Sequence, residues 1–208
     1  MTTTRLREVL LRSRELGFLG PGEVDQHVHH AQAFLAPLAA VGEGGRVLDL
    51  GSGGGVPGLV LAVRRPDLDV VLLDAMSRRC TFLEAAAAEL GLAGRVRVVC
   101  ERAEVAARDP ELRGTFDAVV ARSFAAPPVT AECAAGFLRV GGRLLVSEPP
   151  DHTGEERWPA APLDELGLTV GRRWSVEGAA TIQELRSVRP CPERYPRRVG
   201  VPAKRPLY

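Results

Sequence analysis

Short apolar runs alternate with helical stretches along most of this chain. Residues 4–19 place Leu6, Val9, Leu10 and Leu16 at near-helical spacing, and Gly20-Pro21-Gly22 ends that pattern. A second helix is predicted from about Asp25 to Val41, followed by a turn at Gly42–Gly45. Five apolar runs then read as strands: Arg46–Leu50, Val70–Asp74, Val96–Cys100, Phe116–Ala121 and Arg143–Ser147. The stretches between them predict helices from Pro57 to about Arg65, from Arg79 to Leu90, and around Val129 to Leu138. Val70–Asp74 is continuously apolar with an acidic end, as a strand buried on both faces would be. This alternation predicts an α/β fold of the Rossmann-like kind, a mostly parallel sheet with helices on both faces. Glu148 to Pro162 reads as a loop. Leu168–Val176 and Ile182–Arg189 read as two late, hairpin-like strands. Pro190 to Tyr208 carries five prolines and predicts an extended arm, ordered by docking or by a partner. The expected organisation is a helical segment over 1–42, a central domain over 43–189 and a basic arm over 190–208.

The densest chemical signal is Val47-Leu-Asp-Leu-Gly-Ser-Gly-Gly-Gly-Val-Pro-Gly58, a strand running straight into a glycine loop. Such a loop after a first strand is where α/β proteins bind nucleotide-like cofactors. Gly53, Gly55 and Gly58 fit a dinucleotide fingerprint in only one register, and no lysine follows to make a phosphate loop. Asp49, two residues before Gly51, suits a cationic or polar cofactor and opposes a pyrophosphate. That E/D-x-G-x-G form resembles motif I of methyltransferases using S-adenosylmethionine (SAM). Asp74 stands 23 residues beyond Gly51 at the end of the second strand, near the spacing expected of a ribose-binding acid. Cys100–Glu104 then falls beside the adenine, and the end of the fourth strand faces the substrate.

Composition narrows the class. The chain has 208 residues, 45% hydrophobic and 25% charged, enough for one sizeable core. Net charge is +1, but seven basic residues and one acid lie between Arg186 and Arg205, so the remainder is net acidic. No apolar run approaches the roughly 20 residues of a membrane span. The segment Met1–Arg14 lacks the apolar core of a signal peptide. Cys80, Cys100, Cys133 and Cys191 include no C-x-x-C pair, which argues against a zinc site and a disulfide framework and fits a reducing cytoplasm. His27, His29 and His30 do not share one helix face, so no metal site is expected.

Several blocks together resemble the ribosomal small-subunit methyltransferase G family, also called glucose-inhibited division protein B. They are Asp49–Gly58, Leu72-Leu-Asp74 with Arg78-Arg79 and Phe82-Leu83, Arg102-Ala-Glu104, Phe116-Asp117, Ala121-Arg-Ser-Phe-Ala125 and the tail from Tyr195 to Leu207. The resemblance implies transfer of a methyl group from SAM to N7 of a guanine in 16S ribosomal RNA, free or in a 30S precursor, by a cytoplasmic and monomeric enzyme. It implies that Gly51 and Val56 contact the cofactor, that Ala103 and Glu104 lie at the adenine and that Arg122, also the catalytic candidate, stands at the cofactor–substrate junction; with Ser52, Gly53 and Gly55 of the loop and the ribose acid Asp74 these make the expected cofactor site. Arg102, Arg197, Arg198, Lys204 and Arg205 are the expected RNA contacts. Guanine N7 has a free lone pair, so the transfer needs no general base.

The chain departs from the family pattern after the fifth strand, where Glu148-Pro149 stands in place of the common lysine-glycine pair. A carboxylate at an RNA-facing edge favours a second reading, a small-molecule methyltransferase on the same scaffold. A third reading is a non-catalytic paralogue binding SAM or RNA.

Overall fold

A computed structural model describes residues 2–149, 157–176 and 178–208. Seven strands, β1 (Arg46–Leu50), β2 (Asp69–Asp74), β3 (Val96–Cys100), β4 (Phe116–Ala121), β5 (Leu138–Glu148), β6 (Leu168–Val176) and β7 (Ala180–Ser187), form one sheet. Their order is β3-β2-β1-β4-β5-β7-β6. β1 to β5 run parallel, and β7 inserts antiparallel between β5 and β6. The chain reverses its direction of travel across the sheet between β1 and β4, which opens a crevice at their carboxyl ends.

Both faces are covered. Val47, Val70, Leu72, Ala118 and Val120 point into one core. The residues between them, Leu48, Val71, Leu73, Val119 and Ala121, point into the other. Neither set meets water, so the strands read as unbroken apolar runs. Helices α1 (Thr2–Glu15), α2 (Val24–Gln32), α3 (Leu35–Leu38), α4 (Gly58–Arg64) and α5 (Ser77–Glu89) contribute side chains to the first core. Helices α6 (Ala103–Ala106), α7 (Pro127–Ala135) and α8 (Ala160–Glu165) contribute to the second. No helix is long and apolar enough to cross a membrane among the described residues.

Four expectations change. The helix predicted over 25–41 is two, α2 and α3, separated by a turn at 33–34. β5 starts at Leu138 because Phe116 pairs with Leu138 before the register shifts and Ala118 pairs with Arg143, absorbing Gly141-Gly142. A short helix, α8, occupies part of the stretch read as loop; residues 150–156 of that stretch lie outside the described ones, as do Met1 and Glu177. Finally, Cys80 and Cys100 form a disulfide with a Cα–Cα separation of 5.7 Å. Asp74 and Cys100 are register partners on β2 and β3, and α5 turns back immediately after Asp74, bringing position 80 over position 100.

The tail is not a free arm. Arg113 donates to the carbonyls of Cys191 and Tyr195 at 2.9 and 3.0 Å. Tyr195 donates to Glu165 Oε2 at 2.9 Å. Arg197 grips the fully buried Glu132 of α7 with Nε–Oε1 at 2.9 Å and Nη2–Oε2 at 2.6 Å. Arg197, expected at the RNA, is therefore an internal counter-ion. Leaving Glu132 buried without it would cost on the order of 3–5 kcal/mol. A last short helix, α9 (Val201–Lys204), follows.

Candidate cofactor and acceptor site

The glycine loop is pinned to the end of β2. Gly51 N–H and Ser52 N–H both donate to Leu73 O, at 2.8 and 2.9 Å. Gly53 N–H donates to Asp74 Oδ2 at 2.9 Å. Gly51 has φ of 74°, and a Cβ there would lie 2.6 Å from the Phe124 ring. Both the backbone angle and the close approach require glycine. Behind the loop, Gly58 N–H donates to Asp49 Oδ2 at 2.9 Å. Asp49 is buried, and its Oδ1 has no hydrogen-bond partner. Burial pushes its carboxyl up to about 7, against the opposing Gly58 N–H and Arg122 charge.

Two cavities of about 190 Å³ meet at Gly51. One lies along the loop and is bordered by Ser52, Gly53, Val56 and Arg122, and by Phe18–Gly20 from the segment after α1. The other lies beyond Asp74 and is bordered by Ala75, Arg102, Ala103, Glu104 and Cys133. Asp74 keeps Oδ1 on Met76 N–H at 2.9 Å. Each of its oxygens has accepted one backbone donor and retains acceptor capacity. Burial would raise the Glu104 carboxyl, but the Gly200 N–H and Arg102 outweigh it and hold it below the ordinary carboxylate range. Glu104 Oε1 accepts from Gly200 N at 3.0 Å and Arg102 Nη2 at 3.1 Å, so it ties the tail to the cleft.

Arg122 sits at the end of β4 and donates through Nη2 to His27 Nδ1 at 2.5 Å. His27 Nε2 lies 3.2 Å from Gly20 O, which makes it the donor there. His27 is thus a neutral imidazole with its proton on Nε2. Burial lowers its pKa, and the Arg122 charge lowers it further. The next residue, Ser123, takes a left-handed φ of 53°, strained for a residue with a side chain.

Ser123, Phe124 and Ala125 also border a third cavity of about 310 Å³ above β4 and β5. Here His30 Nε2 bonds Ser147 Oγ at 2.7 Å. Burial and the nearby Arg122 and His27 hold His30 down to about 4, neutral at physiological pH. Glu148 borders the same cavity. Its Oε1 accepts from Trp158 Nε1 at 2.7 Å, and Oε2 lies 2.6 Å from Arg157 Nε.

The donor set fits SAM. The buried Asp49 behind the loop suits a cation by its charge and holds the loop through Gly58, Asp74 suits hydroxyls, and the Ala75–Ala103–Cys133 wall suits a planar base. Sequence reasoning placed Gly51, Ser52, Gly53, Val56, Asp74, Ala103, Glu104 and Arg122 at this crevice, and the structure brings them together there. Gly55 borders neither cavity; it packs against Leu59. Arg102 stands at the lip of the second cavity, half-exposed and paired with Glu104. Arg198, Lys204 and Arg205 present exposed side chains. Phe18, Leu19, His27 and Ser147 had no local signal, because each is brought in by packing across the sheet, whereas His30 matched a family histidine near the cofactor cleft and stands beside it.

The profile of a family described as rRNA small subunit methyltransferase G matches residues 9–151. A curated ribosomal RNA small subunit methyltransferase G from Prochlorococcus marinus (strain NATL1A) is 36% identical over 167 residues, 78% of this chain and 67% of that protein. One from Symbiobacterium thermophilum is 41% identical over 194 residues, 88% of this chain and 78% of that one. Among solved structures, a geranyl diphosphate methyltransferase in complex with SAM superposes with a TM-score of 0.59 at 18% identity, covering 77% of this chain and 85% of the other. A T. thermophilus 16S rRNA methyltransferase in complex with AdoMet and guanosine gives a TM-score of 0.52 at 24% identity, covering 79% and 40%.

Proposed function

Since the chain belongs to the rRNA small subunit methyltransferase G family, we propose that it transfers the methyl group of SAM to N7 of a guanine in 16S ribosomal RNA. The observation that carries this reading is the junction of three cavities at Gly51, Ser123 and Phe124. Two hold the elements of a SAM site, and the third opens beside them at the strand end where an acceptor belongs.

When bound, SAM supplies an activated methyl group on sulfur. Asp74 would hold its ribose end, Asp49 would hold the glycine loop from behind and favour its cationic end by charge, and Ala103 and Glu104 would border the base. Arg122, locked by His27, holds the acceptor edge or its phosphate at the junction. A lone-pair nucleophile needs no proton removed. That accords with an acceptor cavity whose imidazole, His30, is neutral and already bonded to Ser147. Catalysis then rests on alignment.

Glu148 no longer favours a small-molecule enzyme. It is buried and faces Arg157 and Trp158, so it is not a bare anion on the surface that meets RNA. Arg198, Lys204, Arg205 and the lip residue Arg102 are the phosphate contacts of this reading.

Incubating the protein with labelled SAM and with 16S RNA or 30S particles from a strain lacking the homologous enzyme tests it. Nucleoside analysis should give 7-methylguanosine. Calorimetric SAM binding without transfer to either substrate contradicts the assignment.

A further inference from the structure

The Cys80–Cys100 disulfide takes no part in methyl transfer, yet it is fastened to the cofactor site. Cys100 ends β3, the strand at the edge of the sheet, and is the register partner of Asp74. Cys80 lies near the start of α5, and its Sγ is 3.3 Å from Asp74 O. The same carbonyl accepts from Glu101 N–H at 3.0 Å. One bond thus joins three segments: the end of β2 with the ribose acid, the start of α5, and the chain leading from Cys100 to Arg102–Glu104 at the base cavity. β3 pairs with β2 alone, so no second strand holds its end.

The two cysteines are unequally placed. Cys80 is buried, whereas Cys100 is exposed. A protein that acts on ribosomal RNA works in a reducing compartment, where disulfides are transient or redox-sensing rather than permanent. We propose that Cys80 and Cys100 form a thiol–disulfide exchange site whose redox state sets the affinity for SAM. The proposal stands on the SAM site and is independent of which acceptor is methylated. The exchange partner is a small thiol. Its thiolate attacks Cys100 Sγ and forms a mixed disulfide, while the protein S–S bond breaks and Cys80 leaves as a thiolate that takes up a proton. A second thiol attacks the mixed disulfide and frees Cys100 as a thiol. The protein gains two electrons and two protons, and two partner thiols become one disulfide; the reverse sequence closes the bond again. Closed, the bond holds the base wall and the ribose acid together, so less ordering is left for SAM to impose. Open, the Cys80 thiol donates to Asp74 O, the fold is kept, and the Cys100–Glu104 segment is released from α5.

The test equilibrates the wild-type protein in buffers of oxidised or reduced glutathione and reads both the linkage and the cofactor. Peptide mass spectrometry should find Cys80 joined to Cys100 in the oxidised buffer and free in the reduced one. Cys133 does not compete, since burial pushes its thiol up to about 12. SAM affinity by calorimetry should fall about tenfold on reduction and return on reoxidation. The melting temperature should drop by roughly 5–10 °C, as loss of a cross-link in a folded chain does. Cys80→Ser with Cys100→Ser should bind SAM with the weaker affinity in both buffers, and Cys191→Ala should keep the full response. A wild-type protein without the Cys80–Cys100 link in oxidised buffer would overturn the proposal. So would a link that persists in reduced buffer, or a link that opens and closes with no change in SAM affinity. A response to redox state that survives in the double variant would overturn it as well.

Discussion

The cofactor half and the acceptor half of the crevice are built in opposite ways. Residues 49–58 and 74 form the floor of the cofactor half, through backbone N–H groups of the loop that donate to Leu73 O and to the Asp74 and Asp49 carboxylates. The acceptor half gathers His30 from α2, Ser123 and Phe124 after β4, Ser147 and Glu148 on β5, and Trp158 before α8. The first is a local solution to a common problem, holding a cationic nucleoside against a strand end. The second is assembled by the tertiary fold from elements far apart in the chain. Arg122 borders the cofactor half next to Ser123, where the two meet, and is held from outside by His27.

Substitutions can break one half while sparing the other. The largest effect belongs to Gly51→Val. A β-branched side chain at φ of 74° would strain the loop by roughly 1–3 kcal/mol and collide with Phe124. SAM binding by calorimetry should fall by at least about a hundredfold, or about 3 kcal/mol. RNA retention on a filter should persist. Next is Arg122→Ala, which should lower single-turnover methyl transfer on the order of a hundredfold, as loss of one preorganised donor does. Its melting temperature should change little. His27→Ala should give a smaller loss and remove the acid limb of the pH–rate profile. That limb arises because a protonated His27 cannot accept from Arg122, and it lies below the ordinary histidine value of 6.5.

The pH dependence of SAM binding sharpens the comparison further. The folded-state pKa of Asp49 is raised from 3.8 to about 7. Its contribution to stability is therefore complete below 3.8 and lost as pH rises through about 7. A cationic ligand favours the ionised form, so binding releases a proton in that window. SAM affinity should rise with pH by up to about tenfold per unit below pH 7 and then level off. Asp49→Asn should bind weakly and flatten the profile. The smallest effect is on the tail. Lys204→Ala with Arg205→Ala should weaken RNA binding several-fold and reduce its salt slope by about two, leaving SAM affinity unchanged.

Legibility in the sequence followed the same division. Strands β1 to β4 and the glycine loop were readable because burial on both faces leaves continuous apolar runs, and because a glycine loop after a strand has one common use. The register shift that lengthens β5, the break between α2 and α3, and α8 were not readable, since each answers to packing rather than to local periodicity. Arg197 looked like Arg198 and Lys204 in a basic tail. Only the fold reveals that the buried Glu132 of α7 waits for it. Glu148 read as an electrostatic obstacle for the same reason, its neighbours Arg157 and Trp158 being visible only once β5 is in place.

The most direct test of two halves meeting at Ser123 and Phe124 is a crystal structure with S-adenosylhomocysteine and guanosine monophosphate. The guanine should lie in the cavity beside His30, with N7 toward the sulfur. A guanine bound elsewhere, or one presenting its N1–N2 edge to the sulfur, would contradict the account.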